Sequence, residues 1–324
     1  MSAPPAFATI DVGTNTTLLL VARARSGRPI AEAEVLAEAA EITRLGRGIG
    51  GDGRLGAEGM ARTLEALERY RTIADAHGAT LAAIGTEALR RAPNAGAFLD
   101  EARRRLGVAI EVIDGEREAA LTFGAVATSF PAELAAGRAL VVDIGGGSTE
   151  LVASERGVVR FRCSLPVGSV RLHERHVRHD PATEAETAAI TADVDAALDT
   201  ARDAFARSEP DSGAIGLLVG VAGTVTTLGA MALDLASYDP ALVHGSRLTR
   251  AALEAQIARL ARSTQPERER MAGLDPKRAD VILAGSLILQ AIARRAGVGE
   301  VRISDRGIRW GLFYELASAQ RDDG

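Results

Sequence analysis

Short apolar runs bounded by turn residues alternate along the chain with longer segments that carry apolar residues at helical spacing. The short runs predict strands at 6–11, 16–25, 29–39, 79–85, 108–113, 138–143, 149–154, 157–165, 214–223 and 300–305. The helical spacing predicts helices at 57–77, 95–106, 115–129, 168–178, 184–207, 224–233, 249–262, 277–296 and 307–320. Strands that alternate with helices predict an α/β fold.

One three-strand pattern occurs twice. The stretch "FATIDVGTNTTLLLV" (7–21) and the stretch "ALVVDIGGGSTELVA" (139–153) each place an aspartate near a strand end, before a glycine-bearing turn. Aligning Asp11 with Asp143 also aligns Gly13 with Gly145. The repeat predicts two related α/β halves, each opening with a hairpin that carries a carboxylate.

The boundary between the halves is expected near residues 126–137, where "PAELAAG" has the composition of a linker. The predicted domains are residues 1–128 and 129–305, and the closing helix, 306–324, is expected to pack back on the first domain. A ligand is expected in the cleft between the two domains, facing both turns.

Composition and net charge limit the kinds of molecule that the protein is expected to bind. The 324 residues are 47% hydrophobic and carry a net charge of −5, so bulk charge gives no reason to expect nucleic-acid binding. The chain has one cysteine, Cys163, which we expect to be an inert strand residue in a reducing compartment. No signal peptide or membrane-spanning run is evident, and the prediction is a cytoplasmic protein.

Glycine-rich turns can direct successive backbone N–H groups at an anion. We define the first turn as Gly13, Thr14, Asn15 and Thr16, the second turn as Gly145, Gly146, Gly147, Ser148 and Thr149, and the third turn as Gly223 and Thr224. All are predicted to bind phosphate, with hydroxyl groups as added donors. The alternative for the two hairpin turns is an ordinary Asx-capped turn, and for the third turn a helix N-cap at Thr224.

Acidic residues beside the turns suggest a cation. Asp11, Asp143 and Glu150 would repel a bare phosphate, so their position is best explained by Mg²⁺, with Mn²⁺ as the second choice, between carboxylate and phosphate oxygens.

Eight segments together resemble the exopolyphosphatase and guanosine pentaphosphate phosphatase (Ppx/GppA) family, of the sugar kinase, Hsp70 and actin superfamily. They are "DVGTNT" (11–16), "GTEALRRAPN" (85–94), "DGEREAAL" (114–121), "DIGGGSTEL" (143–151), "SLPVGSVRL" (164–172), "GVAGTVTTL" (220–228), "VHG" (243–245) and "SDRGIRWGL" (304–312). The resemblance implies two ribonuclease-H-like domains with an active-site cleft between them.

The resemblance also implies residue roles. Glu118 matches the family's catalytic glutamate, which orients and deprotonates the attacking water, and Arg90 matches a basic residue beside the bound phosphates. The three acidic residues named above match the family's acids at the phosphate turns and the metal. By sequence alone Glu116 is a rival to Glu118, but on a helix the two side chains point about 200° apart, so only one can face a cleft.

Three features depart from the family or fall outside its motifs. Trp310 replaces a usual acidic residue, which puts the ion pairing of the closing helix in doubt. Longer relatives carry a helical C-terminal domain, which we do not expect here. The segment "RLHERHVRHD" (171–180) is interpreted as a solvated helix face, with a basic rim for polyanions and a metal site at His173, His176 and His179 as alternatives.

The sequence therefore predicts a phosphoric anhydride hydrolase that removes the terminal phosphate of inorganic polyphosphate. Hydrolysis of guanosine pentaphosphate is the nearest alternative. A nucleotide-dependent kinase or a chaperone-like nucleotide-binding protein of the same superfamily is more distant. A homodimer is implied only by the resemblance.

Overall fold

The computed structural model describes residues 4–208 and 214–322. These residues form two compact units. The first contains the described residues up to Ser129 together with those from Gly307 onward, and the second is Phe130–Arg306. The predicted boundary, between residues 128 and 129, lies one residue from this division. The outermost ends of the predicted domains, 1–3 and 323–324, lie outside the described residues.

Strands and helices alternate as the apolar pattern predicts. The strands are β1 Ala6–Val12, β2 Thr17–Arg23, β3 Glu34–Glu41, β4 Thr80–Gly85, β5 Ile110–Val112, β6 Arg138–Ile144, β7 Thr149–Glu155, β8 Val158–Leu165, β9 Leu217–Val221, β10 Arg247–Thr249 and β11 Glu300–Ile303. The α-helices are α1 Ile49–Asp52, α2 Ala57–Ala76, α3 Glu87–Arg91, α4 Ala95–Leu106, α5 Gly115–Ser129, α6 Pro131–Ala135, α7 Ser169–His176, α8 Glu184–Ser208, α9 Ala222–Ala232, α10 Pro240–Val243, α11 Arg250–Arg262, α12 Gln265–Arg268, α13 Ile282–Ala296 and α14 Ile308–Asp322.

The first unit is built on a sheet in the order β3-β2-β1-β4-β5. Strands β1, β4 and β5 are parallel, while β2 and β3 complete an antiparallel meander. Helices α2 and α4 pack together beside one core, and α5 and α14 pack together beside another. The sheet thus has helical cover on both faces, as a largely buried parallel sheet requires.

The second unit repeats this arrangement. Its sheet has the order β10-β11-β9-β6-β7-β8, with β6, β9 and β11 parallel. Without β10 and read from β8, the order is β8-β7-β6-β9-β11, which corresponds strand by strand to β3-β2-β1-β4-β5 of the first unit. In both opening hairpins the last ladder pair closes a turn at the same place, Val12 with Thr17 and Ile144 with Thr149. The predicted duplication and α/β class are confirmed.

Several local predictions were wrong. Residues 29–33 were assigned to the third strand but contain a 3₁₀ turn, Ile30–Glu32, after Pro29, whose fixed φ and missing N–H oppose a ladder. The expected linker contains helix α6, which starts with Pro131 in its first turn. The helix expected from 277 begins at Ile282, after a short 3₁₀ turn at 276–278.

The unusual tryptophan of α14 belongs to an apolar core. Trp310 is 3% exposed and packs edge-on against Phe313 and beside Tyr314. Its neighbour Arg309 keeps an ion pair, since Nη2 lies 3.2 Å from Oε1 of Glu38. The replacement of an acid by tryptophan therefore leaves this helix anchored both by apolar packing and by the adjacent arginine.

Candidate active site

The chemically interesting residues of the first unit follow the carboxyl ends of its parallel strands. Val12 pairs with Gly85, and Gly85 pairs with Val112, so β1, β4 and β5 end at the same edge of the sheet. The first turn follows β1, α3 follows β4, and α5 follows β5. This edge is where ligands bind in open α/β sheets.

In the first turn, backbone carbonyls are held by the loop that follows β3. The amide of Gly46 donates to the carbonyl of Thr14 at 2.8 Å, and the amide of Arg44 donates to the carbonyl of Asn15 at 2.9 Å. In a planar trans peptide the N–H points opposite to the C=O. The N–H groups of Asn15 and Thr16 are therefore directed away from this loop.

In the second turn, backbone carbonyls are likewise hydrogen-bonded within their own unit, but to helix α7. The carbonyl of Gly145 accepts from the amide of Ser169 at 3.0 Å, and that of Gly146 accepts from the amide of Arg171 at 3.0 Å. The carbonyl of Gly147 accepts from the side-chain Nε of Arg171 at 2.7 Å. All three carbonyls of the glycine run thus turn towards α7.

The amides that follow these carbonyls consequently point away from α7. They belong to Gly146, Gly147 and Ser148, and three successive N–H groups of this kind form an anion-binding nest. The close approach requires glycine just before the helix, because a Cβ at Gly168 would lie 2.6 Å from the carbonyl carbon of Gly147. Phosphate binding at these turns stays a prediction with which this amide orientation is compatible.

One predicted phosphate donor has another role. The hydroxyl of Thr149 donates to the carbonyl of Val167 at 2.6 Å and is fully buried. Its single proton is used within the protein, so the prediction of a side-chain contact from Thr149 to phosphate is corrected. The residue instead ties β7 to the segment that leads into α7.

Two of the predicted metal-binding acids lie side by side. Asp143 of β6 and Glu150 of β7 are paired directly across the antiparallel ladder, which places both side chains on one face. Both are buried, and Oγ of Ser164 on β8 donates to Oε1 of Glu150 at 2.7 Å. Two adjacent, desolvated carboxylates fit the oxygen-donor chemistry of Mg²⁺.

The structure does not assemble a full ligand set from side chains alone. Within residues 4–208 and 214–322, no group of three or more histidine, cysteine or acidic side chains is placed to hold a metal ion. Asp11, buried at the end of β1, belongs to the other unit. Its participation in a shared metal site stays a prediction, as does the cleft between the units.

Glu118 lies in the first turn of α5, and its position is fixed by local hydrogen bonds. Asp114 caps this helix, because its carboxylate accepts from the amide of Arg117 at 2.8 Å and its carbonyl accepts from the amide of Glu118 at 2.9 Å. The Glu118 side chain is 4% exposed, and its Oε1 lies 2.6 Å from Nη1 of Arg90. The same Nη1 donates to the carbonyl of Ile113 at 2.5 Å.

The structure separates the two glutamates that the sequence left as rivals. Glu116 is exposed, whereas Glu118 is buried on the same helix. Arg90, predicted to lie beside phosphate, is the partner of Glu118 and is 30% exposed. It sits on α3, a five-residue helix that the sequence pattern did not predict. Only Glu118 therefore has the enclosed, oriented geometry that a catalytic base needs.

The third turn lies inside the first turn of α9. Val221 pairs with Asp143, so the second and third turns emerge at the same edge of the second sheet. Ala222 has a φ of 67°, a strained value for a residue with a Cβ. Thr224 is the third residue of the helix, and not its N-cap. The alternative interpretation of Thr224 as a cap is thereby corrected.

Sequence reasoning missed an arginine at the third turn. A Cβ added at Gly223 would lie 2.6 Å from Cζ of Arg278, so this guanidinium is in close contact with the glycine. Burial lowers the pKa of Arg278, while Asp275 and Tyr238 act in the opposite direction. The segment "KRAD" gave no signal, because the contact joins residues more than fifty positions apart.

The His/Arg-rich segment divides between two roles. His176 pairs with Asp193 at 2.7 Å and His179 with Glu186 at 2.9 Å. Helix α7 ends at His176, so the helical spacing needed for a three-histidine site is not present. Arg171 instead contacts the second turn, through its backbone amide to Gly146 and its Nε to Gly147.

Cys163 behaves as an inert strand residue. It is half-buried on β8, and burial, with a smaller contribution from Glu150, raises the pKa of its thiol to about 11. Very little thiolate exists at neutral pH, so the residue is a poor nucleophile.

A protein-family comparison matches residues 20–320 to the model of the Ppx/GppA phosphatase family. The chain belongs to this family. The expectation drawn from the eight motifs is confirmed, and the two turns and Glu118 can be considered as parts of a Ppx/GppA phosphatase.

Among Ppx/GppA relatives, exopolyphosphatase 2 of Mycobacterium tuberculosis is 37% identical over 96% of this chain and 98% of its own length. A guanosine-5′-triphosphate,3′-diphosphate pyrophosphatase of Vibrio atlanticus is 30% identical over 99% of this chain, which spans 61% of that relative. Relatives of both substrate types therefore match nearly all of this chain.

Solved Ppx/GppA structures have the same fold. A family member from Aquifex aeolicus is 32% identical, covers 99% of both chains and has a TM-score of 0.78. An exopolyphosphatase from Cytophaga hutchinsonii is 27% identical, covers 97% of this chain and 98% of its own, and has a TM-score of 0.87. None of the described helices of this chain is long and apolar enough to cross a lipid bilayer.

Proposed function

We propose that this Ppx/GppA phosphatase is an exopolyphosphatase that releases orthophosphate from the end of inorganic polyphosphate. The observation that carries the proposal is the pair of glycine turns in which the carbonyls of Thr14, Asn15, Gly145, Gly146 and Gly147 are hydrogen-bonded within their own unit. Such turns offer amides to a run of phosphates. The similarity over almost the full length of exopolyphosphatase 2 supports polyphosphate as the substrate.

In the proposed reaction, water attacks the terminal phosphorus and its proton passes to Oε of Glu118. The bond from that phosphorus to the bridging oxygen breaks, and the electron pair stays with the shortened polyphosphate. Arg90 holds the carboxylate of Glu118 through a 2.6 Å contact, which restricts its rotation. Phosphoryl transfer depends mainly on this kind of positioning and on charge neutralisation.

Asp143 and Glu150 are the residues that would hold Mg²⁺, with Mn²⁺ as the second choice. The bound ion would neutralise phosphate oxygens and so lower the cost of bringing a polyanion next to two carboxylates. Arg278 is a further candidate for contacting phosphate, because its guanidinium lies on the glycine of the third turn. Asp11 and the first turn would serve the same substrate from the other unit.

The nearest competing function is hydrolysis of the 5′ phosphate of guanosine pentaphosphate. The Vibrio relative favours it, since that protein matches 99% of this chain. Both reactions use the same water, base and phosphate turns, so the machinery described above serves either. A cytoplasmic location and a homodimer remain predictions.

The deciding experiment measures orthophosphate release from polyphosphate and from guanosine pentaphosphate, in parallel and without ADP. The proposal expects release from polyphosphate with the larger kcat/KM. A larger value for guanosine pentaphosphate would reverse the assignment. Phosphate transfer that needs ADP would instead indicate a kinase.

A further inference from the structure

We propose that Arg171 is a positioning residue that sets the orientation of the Gly147–Ser148 peptide. Its Nε–H holds the carbonyl of Gly147, so that the N–H of Ser148 is presented to a substrate phosphate. The inference rests on the proposed function, because it assigns to the second turn the phosphate groups of that substrate.

The glycine run needs such a restraint. Rotation of the Gly147–Ser148 peptide changes ψ of Gly147 and φ of Ser148, and glycine places little steric restriction on its own part of that rotation. A reversed peptide would direct a carbonyl oxygen at the anion and withdraw an N–H from it. One residue opposes the reversal at two successive peptides, since Arg171 donates its backbone amide to Gly146 and its side-chain Nε to Gly147.

The neighbouring arginines of the same segment form hydrogen bonds with other groups. Arg175, on the next turn of α7, pairs with Asp193 at 2.7 Å. Arg178 donates to the carbonyl of Glu174 at 2.7 Å. The effect expected of Arg171 is therefore a property of its contact with the turn, and not of positive charge along the segment as a whole.

Two substitutions separate the hydrogen bond from the charge. In Arg171→Gln the amide nitrogen is the same number of bonds from Cα as Nε, so the donor to Gly147 is kept while the charge is lost. In Arg171→Met a methyl group takes that place, so both donor and charge are lost. Arg175→Met is the matched control, because it removes a charge from α7 without touching the turn.

The affinity for tripolyphosphate is measured by calorimetry with Glu118→Gln as the background, so that hydrolysis during the titration is slowed. We expect Arg171→Met to weaken binding on the order of tenfold to a hundredfold, the usual size for a lost hydrogen bond to a charged group. Arg171→Gln should bind within about threefold of the background, and Arg175→Met should match it. In the active enzyme, Arg171→Met should raise KM more than it lowers kcat.

Equal weakening by glutamine and methionine would overturn the inference, because the charge would then be responsible. Unchanged binding in Arg171→Met would overturn it as well. If Arg171→Met does not fold, the amide proton of Ser148 is followed by nuclear magnetic resonance in the Glu118→Gln protein with arginine or glutamine at position 171. A large downfield shift on adding tripolyphosphate in both proteins supports the inference, and an unmoved signal in either refutes it.

The outcomes that would overturn the role of Arg171 can be distinguished from a failure of the proposed function. If wild-type enzyme cleaves neither polyphosphate nor guanosine pentaphosphate and the background variant binds no tripolyphosphate, both proposals fall together. If the wild type cleaves and binds but the two Arg171 variants behave alike, only the role of Arg171 is wrong.

Discussion

Replacing Glu118 with glutamine removes the proposed base while keeping the shape of the side chain and an oxygen that can accept from Arg90. The residue is 3% exposed, and glutamine has its shape. The amide oxygen can still accept from Arg90, but the amide cannot take a proton from water. We expect the rate of polyphosphate hydrolysis to fall by about 10²- to 10⁴-fold, the usual contribution of a general base.

The same substitution should cost only modest stability. It converts a charge-assisted hydrogen bond, 2.6 Å long, into one with a neutral acceptor. Charged hydrogen bonds contribute about 1.5–3 kcal/mol and neutral ones about 0.5–1.5 kcal/mol, so the loss should be about 1–2 kcal/mol. For domains of this size, that corresponds to a fall in Tm of roughly 2–8 °C. The variant should therefore be fully folded at 25 °C, and its rate loss cannot be attributed to unfolding.

The assay is the initial rate of orthophosphate release at saturating polyphosphate, combined with thermal unfolding of the same samples. Glu116→Gln is the control, because Glu116 is exposed two residues earlier on the same helix. It should retain wild-type activity. A Glu118→Gln enzyme within about threefold of wild type, given the size expected for a base, would refute the assignment. Equal losses in both variants would point to the helix terminus as a whole.

Three other perturbations have distinct expected outcomes. Asp143→Asn should raise the Mg²⁺ concentration for half-maximal activity as well as lower the rate, and an unchanged value in a magnesium titration would leave Asp143 a purely structural role. Gly223→Ala should displace Arg278 and raise KM, because the new Cβ would lie 2.6 Å from its Cζ; unchanged kinetics would contradict this. Burial is the main cause, and Arg306 a smaller one, that lowers the pKa of His244 from 6.5 to about 4. As the pH falls, His244 is therefore protonated in the unfolded chain before it is protonated in the folded protein, which favours unfolding. Stability should fall by about 1–3 kcal/mol between pH 6.5 and pH 4 in urea unfolding, and His244→Phe should lessen that fall.

The repeated hairpins were predictable because their signal is local. A buried strand followed by a glycine turn and a second buried strand specifies its own register, and the two ladders close identically at Val12–Thr17 and Ile144–Thr149. Helix α4 was predicted with its observed bounds, Ala95–Leu106, and in the structure Gly107 ends it in a left-handed conformation. Repetition of the aspartate and glycine also led directly to the candidate phosphate turns.

The remaining site features depend on contacts between distant segments. Helix α3 has five residues, too few for a periodic pattern, yet it carries Arg90 to within 2.6 Å of Glu118. Arg278 reaches Gly223 from beyond three intervening helices, a separation that no local sequence pattern reveals. The family motifs identified Glu118 and Arg90, but composition and spacing did not show that Arg90 would contact Glu118.

The two hairpin turns achieve the same amide orientation by different means. In the first unit the carbonyls of Thr14 and Asn15 are held by backbone amides of the loop after β3. In the second unit the last carbonyl of the glycine run is held by a side chain, that of Arg171. A backbone donor survives nearly every substitution, whereas a side-chain donor can be removed by one. The predicted phosphate turn of the second unit is therefore the one whose geometry single substitutions can alter, and on the proposed function sequence variation at residue 171 would tune phosphate affinity without touching the proposed base or carboxylates.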